Sequence, residues 1–314
     1  MRERTVIVAT FPGCEVLDVA APLQAFHDAN ACGARYRVVV AGTVQNVAMS
    51  QPVTFGDVQP LPPARDGDLI VIPGGSDTRR GTSPRTLVAW LRANRRTGAE
   101  FCAICTGAFL LGEAGMLDGV KCTTHWKHLD ELQRRYPLAN VTKDRLFITD
   151  DRITTSAGVA SGIDVALWFV ERHFGPLVAA RTAREMVIHV RRDGSHAQDS
   201  VYLSHRAHLN SAVHRVQDFI IANPSEKVGI AELARIAGMS SRSITRTFRA
   251  STGITIAQYR QQIRLENART LLRQPSATIE RVAEQVGFKD SRHLRRLWNK
   301  HFGASPSSEM RPSP

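Results

Sequence analysis

Apolar positions from Met1 to Val190 recur with two different periods. Short β-branched and aliphatic runs at Thr5–Ala9, Tyr36–Ala41, Asp68–Ile72 and Glu100–Ile104 alternate with helically spaced stretches at Val16–Ala29, Pro84–Arg95 and Thr106–Ala114. Strands that are apolar throughout are buried on both faces, and strands alternating with helices build right-handed βαβ units. This region therefore predicts a mostly parallel, doubly wound α/β sheet. Leu146–Ser156 then alternates around Asp150 and Asp151, which predicts a hairpin, before Ser161–Phe174 and Leu177–Val190 return to helical spacing. Those two helices close the domain and offer a surface for a dimer contact.

Between Val190 and His208 the chain is polar, loses its periodicity and carries Gly194, the marks of a linker. The expected organisation is a domain over residues 1–190, a linker over 191–210 and a second, all-α domain over 211–314. The second domain repeats itself. Leu233–Phe248, ending at Thr252 and Gly253, is echoed by Val282–Trp298, ending at Phe302 and Gly303; Gly238 corresponds to Gly287, and Ile244 to Leu294 after a single inserted position. Each copy is helically spaced, breaks at a glycine that admits a left-handed turn, and resumes as a second helix, so the expectation is a double helix-turn-helix. Between the copies Ile256–Leu272 is one unbroken helical run. At about 1.5 Å rise it is about 25 Å long, enough to set two recognition helices about one DNA turn apart. A plain helical bundle shares the apolar spacing but does not require the outward residues: Arg242, Thr245, Arg246 and Arg249 in the first copy, and Ser291, Arg292, Arg295, Arg296 and Lys300 in the second.

Charge sharpens this picture. Residues 211–314 hold 17 Lys and Arg against 8 Asp and Glu, so they carry +9 of the net +12 in a third of the 314 residues. A compact segment so biased suits a phosphate backbone, and double-stranded DNA is the expected partner. At 43% hydrophobic and 22% charged the chain is neither disordered nor a small disulfide scaffold. Its apolar runs, such as Val6–Ala9 and Leu69–Ile72, fall far short of the roughly 20 residues that span a bilayer, so no membrane association is expected. Five cysteines, an odd number with none beyond Cys122, and an N-terminus without a signal-like apolar core point to a reducing cytoplasm.

Two strand ends hold the candidate chemistry. Val71-Ile-Pro-Gly74-Gly75 ends one run in paired glycines that let backbone amides approach a ligand. Ala103-Ile-Cys105-Thr106-Gly107-Ala108 ends the other in a strand-to-helix junction with the small residues of a nucleophile elbow, and there a helix dipole is expected to lower the Cys105 thiol pKa. Cys102 and Cys105 spell C-x-x-C, but residues three apart in a strand point to opposite faces, which argues against a redox pair. No histidine motif or cysteine cluster supports a metal, and no cofactor is expected.

Phe11-Pro-Gly-Cys-Glu-Val-Leu-Asp-Val-Ala-Ala-Pro22, Ile72-Pro-Gly-Gly75, Ile104–Gly119 and Thr123-Thr-His-Trp126 together resemble the class I glutamine-amidotransferase-like superfamily, in its PfpI and isocyanide-hydratase-like branch, over nearly all of the chain up to Gly175. The resemblance implies a flavodoxin-like fold, Cys105 as a reactive thiol, Asp18 as its carboxylate partner and His125 nearby. It also implies an oxyanion hole from the amides of Gly75 and Thr106, with Gly74 lining the same pocket. Protease-type members follow the cysteine with histidine; Thr106 stands there instead, which removes the ready base and argues against a peptidase. Cys105 then reads as a pocket residue without turnover, as the thiol of a small-molecule hydratase or amidase, or as a structural elbow or oxidation sensor; His125 reads as a base or as a packed ring beside Trp126.

Residues 211–311 resemble the AraC-family DNA-binding domain. That resemblance gives base-edge contacts to Arg242, Thr245 and Arg246 and to Ser291, Arg292, Arg295 and Arg296. The family's closing tyrosine is present at Tyr259, whereas Glu309 replaces it after Gly303. The two domains together are similar to the GlxA group of bacterial transcriptional regulators. This implies a homodimeric activator that meets RNA polymerase and answers to a small effector, an amine or amino acid by analogy with relatives tied to arginine, carnitine and betaine metabolism. The alternatives are a cysteine-dependent hydratase or amidase and a thiol redox-responsive regulator.

Overall fold

The computed structural model of the chain describes residues 3–81, 84–188, 192–194, 198, 201–274 and 276–310. They fall into two units, Met1–Gln198 and Asp199–Pro314. Of the segment expected as a linker, residues 191, 195–197 and 199–200 lie outside the described residues.

The first unit runs β1 (Arg4–Thr10), α1 (Val16–Ala31), β2 (Tyr36–Gly42), β3 (Gln59–Pro60), β4 (Leu69–Ile72), α2 (Ser76–Arg80), α3 (Arg85–Asn94), β5 (Glu100–Ile104), α4 (Gly107–Glu113), α5 (Leu129–Arg135), β6 (Phe147–Asp150), β7 (Ile153–Ser156), α6 (Ser161–Phe174) and α7 (Pro176–Glu185). These seven strands form one sheet in the order β6-β7-β5-β4-β1-β2-β3. Its neighbours are parallel except for the β6–β7 hairpin, where Asp150 faces Ile153. Val6 pairs with Val38 on one side and Leu69 on the other, and Val6, Val8, Ile70 and Ile72 are fully buried, as continuous apolar strands covered on both faces require. The chain leaves β1 for β2 and returns across it to β4, so the switch point of the doubly wound sheet opens at the carboxyl ends of β1 and β4. At the opposite end a buried His173 ring bridges Glu100 Oε2 (2.8 Å) and the Tyr36 hydroxyl (2.8 Å), which fastens α6 to the sheet.

The last helix of this unit is shorter than its periodicity predicts. It ends at Glu185 because Val187 adopts a left-handed φ of 55°, and residues 189 and 190 lie outside the described residues.

The second unit is all helical: α8 (Val201–Ser204), α9 (Ser211–Ala222), α10 (Ile230–Ala237), α11 (Ser241–Thr252), α12 (Ile256–Leu272), α13 (Ile279–Gln285) and α14 (Ser291–Phe302). Side-chain caps start the helices that matter most: Ser240 for α11, a Thr255–Gln258 capping box for α12, Thr278 for α13 and Asp290 for α14. Left-handed Gly238 and Gly287 make the turns between α10 and α11 and between α13 and α14. The apolar residues form two separate cores. One gathers Leu233, Ile244, Phe248, Tyr259 and Ile263; the other gathers Leu265, Leu272, Val282, Leu294 and Trp298, so α12 contributes its first half to one and its second half to the other.

Glu309, where the resembling family carries tyrosine, closes the second core by charge. It accepts from Arg269 Nε (3.1 Å) and from Arg273 Nη2 (2.9 Å), while the buried Arg269 guanidinium also lies 5.1 Å from the Phe302 ring centroid. Removing one partner of a buried pair strands the other charge. Glu309→Ala is therefore expected to cost about 2–3 kcal/mol, read as a lowered urea midpoint for the C-terminal unit.

Candidate functional site

The segments that follow β1, β4, β5 and β7 meet at the carboxyl edge of the sheet, and one carboxylate joins them. Asp18, in the first turn of α1 and fully buried, accepts the Gly74 amide at Oδ2 (3.0 Å) and the Val159 amide at Oδ1 (2.9 Å). Burial pushes its pKa up to about 6, against the pull of those two amides. Gly74 has to be glycine, since a Cβ there would meet Thr106 Oγ1 at 2.7 Å and Asp18 Oδ2 at 2.9 Å.

Cys105 sits on the elbow that the sequence predicts, with φ of 55°. Its strained backbone is held from both sides: its amide donates to Ser156 O (3.0 Å) and its carbonyl accepts from Thr124 Oγ1 (2.7 Å). Gly107 lets α4 start hard against the Ile72 carbonyl, and Gly158 lies over Cys105 so closely that a Cβ would run into Sγ. The thiol is only 8% exposed.

This environment corrects the expected thiol chemistry. Burial, reinforced by the neighbouring Asp18, pushes the Cys105 thiol up to about 12, and the Thr106 amide pulls it back only in part. Desolvation is the largest cause of that rise. The expected oxyanion hole is corrected as well. Gly75 N donates to Thr106 Oγ1 (2.9 Å) and that hydroxyl donates to Gly75 O (3.1 Å), so the Gly75 amide is committed inside the protein. Thr106 thus takes the place of a base with a hydroxyl that locks two turns together.

His125 lies beside Trp126 at the start of a short helical turn. Nδ1 accepts from Lys127 N (3.3 Å), the ring stacks on Trp126 at 5.6 Å, and burial together with Lys127 holds its pKa below the ordinary histidine value. Thr124, its neighbour, is the residue that reaches the elbow. Thr124, Gly158 and Val159 are the site residues that motif reading missed. The run Ser156-Ala-Gly-Val-Ala-Ser-Gly162 carries a turn signal at Gly158, but nothing local foretells the left-handed Val159 (φ 50°). All five cysteines are free, and among the described residues no group of three or more His, Cys, Asp or Glu is arranged to hold a metal.

In the second unit α11 and α14 bury Ile244 and Phe248, and Leu294 and Trp298, which turns the intervening residues outward. Arg242, Thr245, Arg246 and Arg249 line one shallow surface; Arg292 and Arg296 line another with Lys289 and Asp290. Arg295 and Lys300 are also exposed and Ser291 is half-buried. Three of these groups have internal partners: Thr245 Oγ1 donates to Ser241 O (2.8 Å), Arg295 Nη2 lies 3.2 Å from Glu280 Oε1, and the Ser291 side chain also bonds Glu280. Other arginines serve the fold. Arg215 donates to Ile236 O and Ala237 O, Arg260 to Val228 O and Arg264 to Pro224 O. No helix among the described residues is long and apolar enough to cross a membrane.

The DJ-1/PfpI family model matches residues 4–172, and a helix-turn-helix domain model matches residues 233–311. The chain is similar to the HTH-type transcriptional regulator CdhR of Pseudomonas aeruginosa, at 31% identity over 79% of this chain and 74% of the relative. It is also similar to the HTH-type transcriptional regulator GlxA of Rhizobium meliloti, at 30% identity over 71% of this chain and 68% of the relative. In fold, the crystal structure of an AraC family transcriptional regulator from Pseudomonas putida matches 59% of this chain and all of its own, with a TM-score of 0.52 at 20% identity.

A raised carboxyl pKa favours the protonated folded state, so the contribution of Asp18 to stability is full below pH 4 and is lost as pH rises through about 6. The difference in unfolding free energy between wild type and Asp18→Asn should accordingly shift against wild type by about 2–3 kcal/mol across that window, measured by urea titration at stepped pH. Alkylation of Cys105 by iodoacetamide should keep accelerating with pH beyond 9; a plateau near neutrality would reveal a low-pKa thiolate.

Proposed function

The chain belongs to the DJ-1/PfpI family and, within it, to the transcriptional regulators that end in a helix-turn-helix DNA-binding domain, and on that premise we propose that α11 and α14 grip double-stranded DNA under control of a small molecule bound beside Asp18 and Cys105. Arg242, Arg246 and Arg249 on one helix, and Arg292, Arg296 and Lys300 on the other, are the cations left to meet phosphates and guanine edges. Thr245, with its hydroxyl turned to its own helix, presents a methyl group suited to thymine, and Ser291 stands at the start of the second recognition helix. Arg295 contacts DNA only after leaving Glu280, so Glu280 acts as a brake on indiscriminate phosphate binding.

The observation that carries the sensing half of the reading is that the polar groups around Cys105 are already committed. Asp18 holds two amides and Gly75 is bonded to Thr106, which argues against turnover, and Asp18, Gly74, Gly75, Cys105 and Thr106 are on this reading the residues that a bound molecule would meet. The resemblance to those regulators points to an amine or amino acid as effector. The reading takes the chain as a homodimer, with α6 and α7 as its expected contact. Acting as an activator, that dimer would present the DNA-bound units to RNA polymerase.

Thermal shifts of the full chain with amines, amino acids and small amides, run for wild type and Cys105→Ala, test the sensor. Stabilisation of both forms with the ligand recovered unchanged is the expected result; ligand altered only by wild type would establish a Cys105-dependent enzyme instead. On duplexes selected from a random pool, Arg246→Ala and Arg296→Ala are expected to lose sequence discrimination by about 1–3 kcal/mol, the worth of a bidentate guanine contact, by fluorescence anisotropy. Glu280→Gln is expected to tighten binding to unrelated duplex and steepen the salt dependence by about 0.9 in log-log slope, the mark of one added phosphate contact.

A further inference from the structure

The segment that leaves the N-terminal unit is fastened to it at three places. Arg192 binds the buried Asp164 of α6 through its backbone amide (3.1 Å to Oδ1) and its guanidinium (2.6 Å from Nη2 to Oδ2). The Gly194 carbonyl accepts the Leu146 amide at 3.1 Å, and a Cβ on Gly194 would run into the Phe147 carbonyl. The third fastening is Gln198, the last residue of the unit.

Its carboxamide nitrogen lies 2.8 Å from Thr124 O, 2.9 Å from Arg145 O and 3.0 Å from Thr123 Oγ1. Two of these partners are carbonyls, which accept only, so the amide can point in just one direction. Its other end, Oε1, is buried with no hydrogen-bond partner among the described residues. Thr124 is the residue whose hydroxyl holds the Cys105 carbonyl at 2.7 Å. A bonded path thus runs from the elbow through one residue to the chain that enters the DNA-binding unit.

We propose that Gln198 is a latch that transmits occupancy of the Cys105 site to the segment joining the two units, an inference that rests on the sensor reading above. Nothing can be added at Cys105 Sγ without moving its surroundings, because Gly158 already lies against the sulfur. The strained elbow turns, the Cys105 carbonyl moves, and Thr124 follows its hydrogen bond. Thr124 O then leaves the Gln198 amide. Release exchanges the three hydrogen bonds of the Gln198 amide for bonds to water once the side chain swings out. Ligand binding and latch opening are linked reciprocally, so loosening the latch also loosens the elbow.

The test uses the full chain with Cys32→Ser, since Cys32 is the one cysteine that is not buried. Methyl methanethiosulfonate transfers its methylthio group to the Cys105 sulfur, with methanesulfinate leaving, and stands in for an occupant; mass spectrometry verifies the adduct. Hydrogen exchange is followed in peptides spanning residues 192–204. The adduct is expected to speed exchange there about tenfold. Gln198→Glu, which sets a carboxylate against two carbonyls, and Gln198→Ala, which removes the amide without adding charge, are both expected to exchange as fast without the adduct and to gain nothing from it. Arg192→Ala is expected to loosen the segment and still respond. Unchanged exchange in the labelled parent, or a full response in both Gln198 variants, overturns the latch. A ligand that stabilises the full chain in the thermal screen would leave the sensor standing even then, so the two readings fail separately.

Discussion

A buried carboxylate that two backbone amides need is the constraint on which the N-terminal unit is organised. Asp18 receives the Gly74 amide from the turn after β4 and the Val159 amide from the turn after β7, segments far apart in sequence. The Gly74 bond is buried and the Val159 bond part-buried, so one side chain ties together α1, the glycine turn and the loop over Cys105. The cost appears in the titration of that side chain and in the thiol beside it. Cys105 occupies the geometry of a nucleophile with the electrostatics of a core residue: strained backbone, neutral sulfur, little exposure.

What was legible in the sequence follows from whether a feature is local. Glu100–Ile104, Ser161–Phe174 and Ile256–Leu272 are bounded residue for residue as their periodicity predicts, because each run is bracketed by turn formers or caps that act within a few residues. Cys105 was readable because its strand-to-helix junction carries a small-residue pattern, whereas Asp18 was reached only through the family resemblance. The protonation of that thiol was not, since it depends on atoms brought from α1 and from the loop after β7. Val159 shows the limit best. A β-branched residue resists φ of 50°, and it adopts that conformation because Asp18 accepts its amide from across the fold. Counting arginines pointed to DNA, yet composition records charge and not where each guanidinium is anchored.

Those anchors give the C-terminal unit its division of labour. Arg215, Arg260, Arg264, Arg269 and Arg273 are spent on helix ends, a loop and the Glu309 carboxylate, and they hold the scaffold rigid. The cations on α11 and α14 stand on that scaffold with short hydrogen-bonded caps beneath them, so their placement is inherited from packing that water does not reach. The N-terminal unit works oppositely. Its polar groups turn inward, and its connector is bonded back toward the thiol elbow.

Because α12 divides its apolar residues between two cores, it acts as a phase-setting axle as well as a spacer. One residue added near its middle would advance the second core by about 1.5 Å and rotate it by about 100°, changing the direction in which α14 faces relative to α11. Seven added residues would restore the phase to within about 20° while lengthening the axle by about 10 Å. Evolution of new operator spacings in such a chain is therefore quantised: small length changes along α12 are closed to it, and altered spacing has to come from bending the DNA or from the way two copies of the chain are joined.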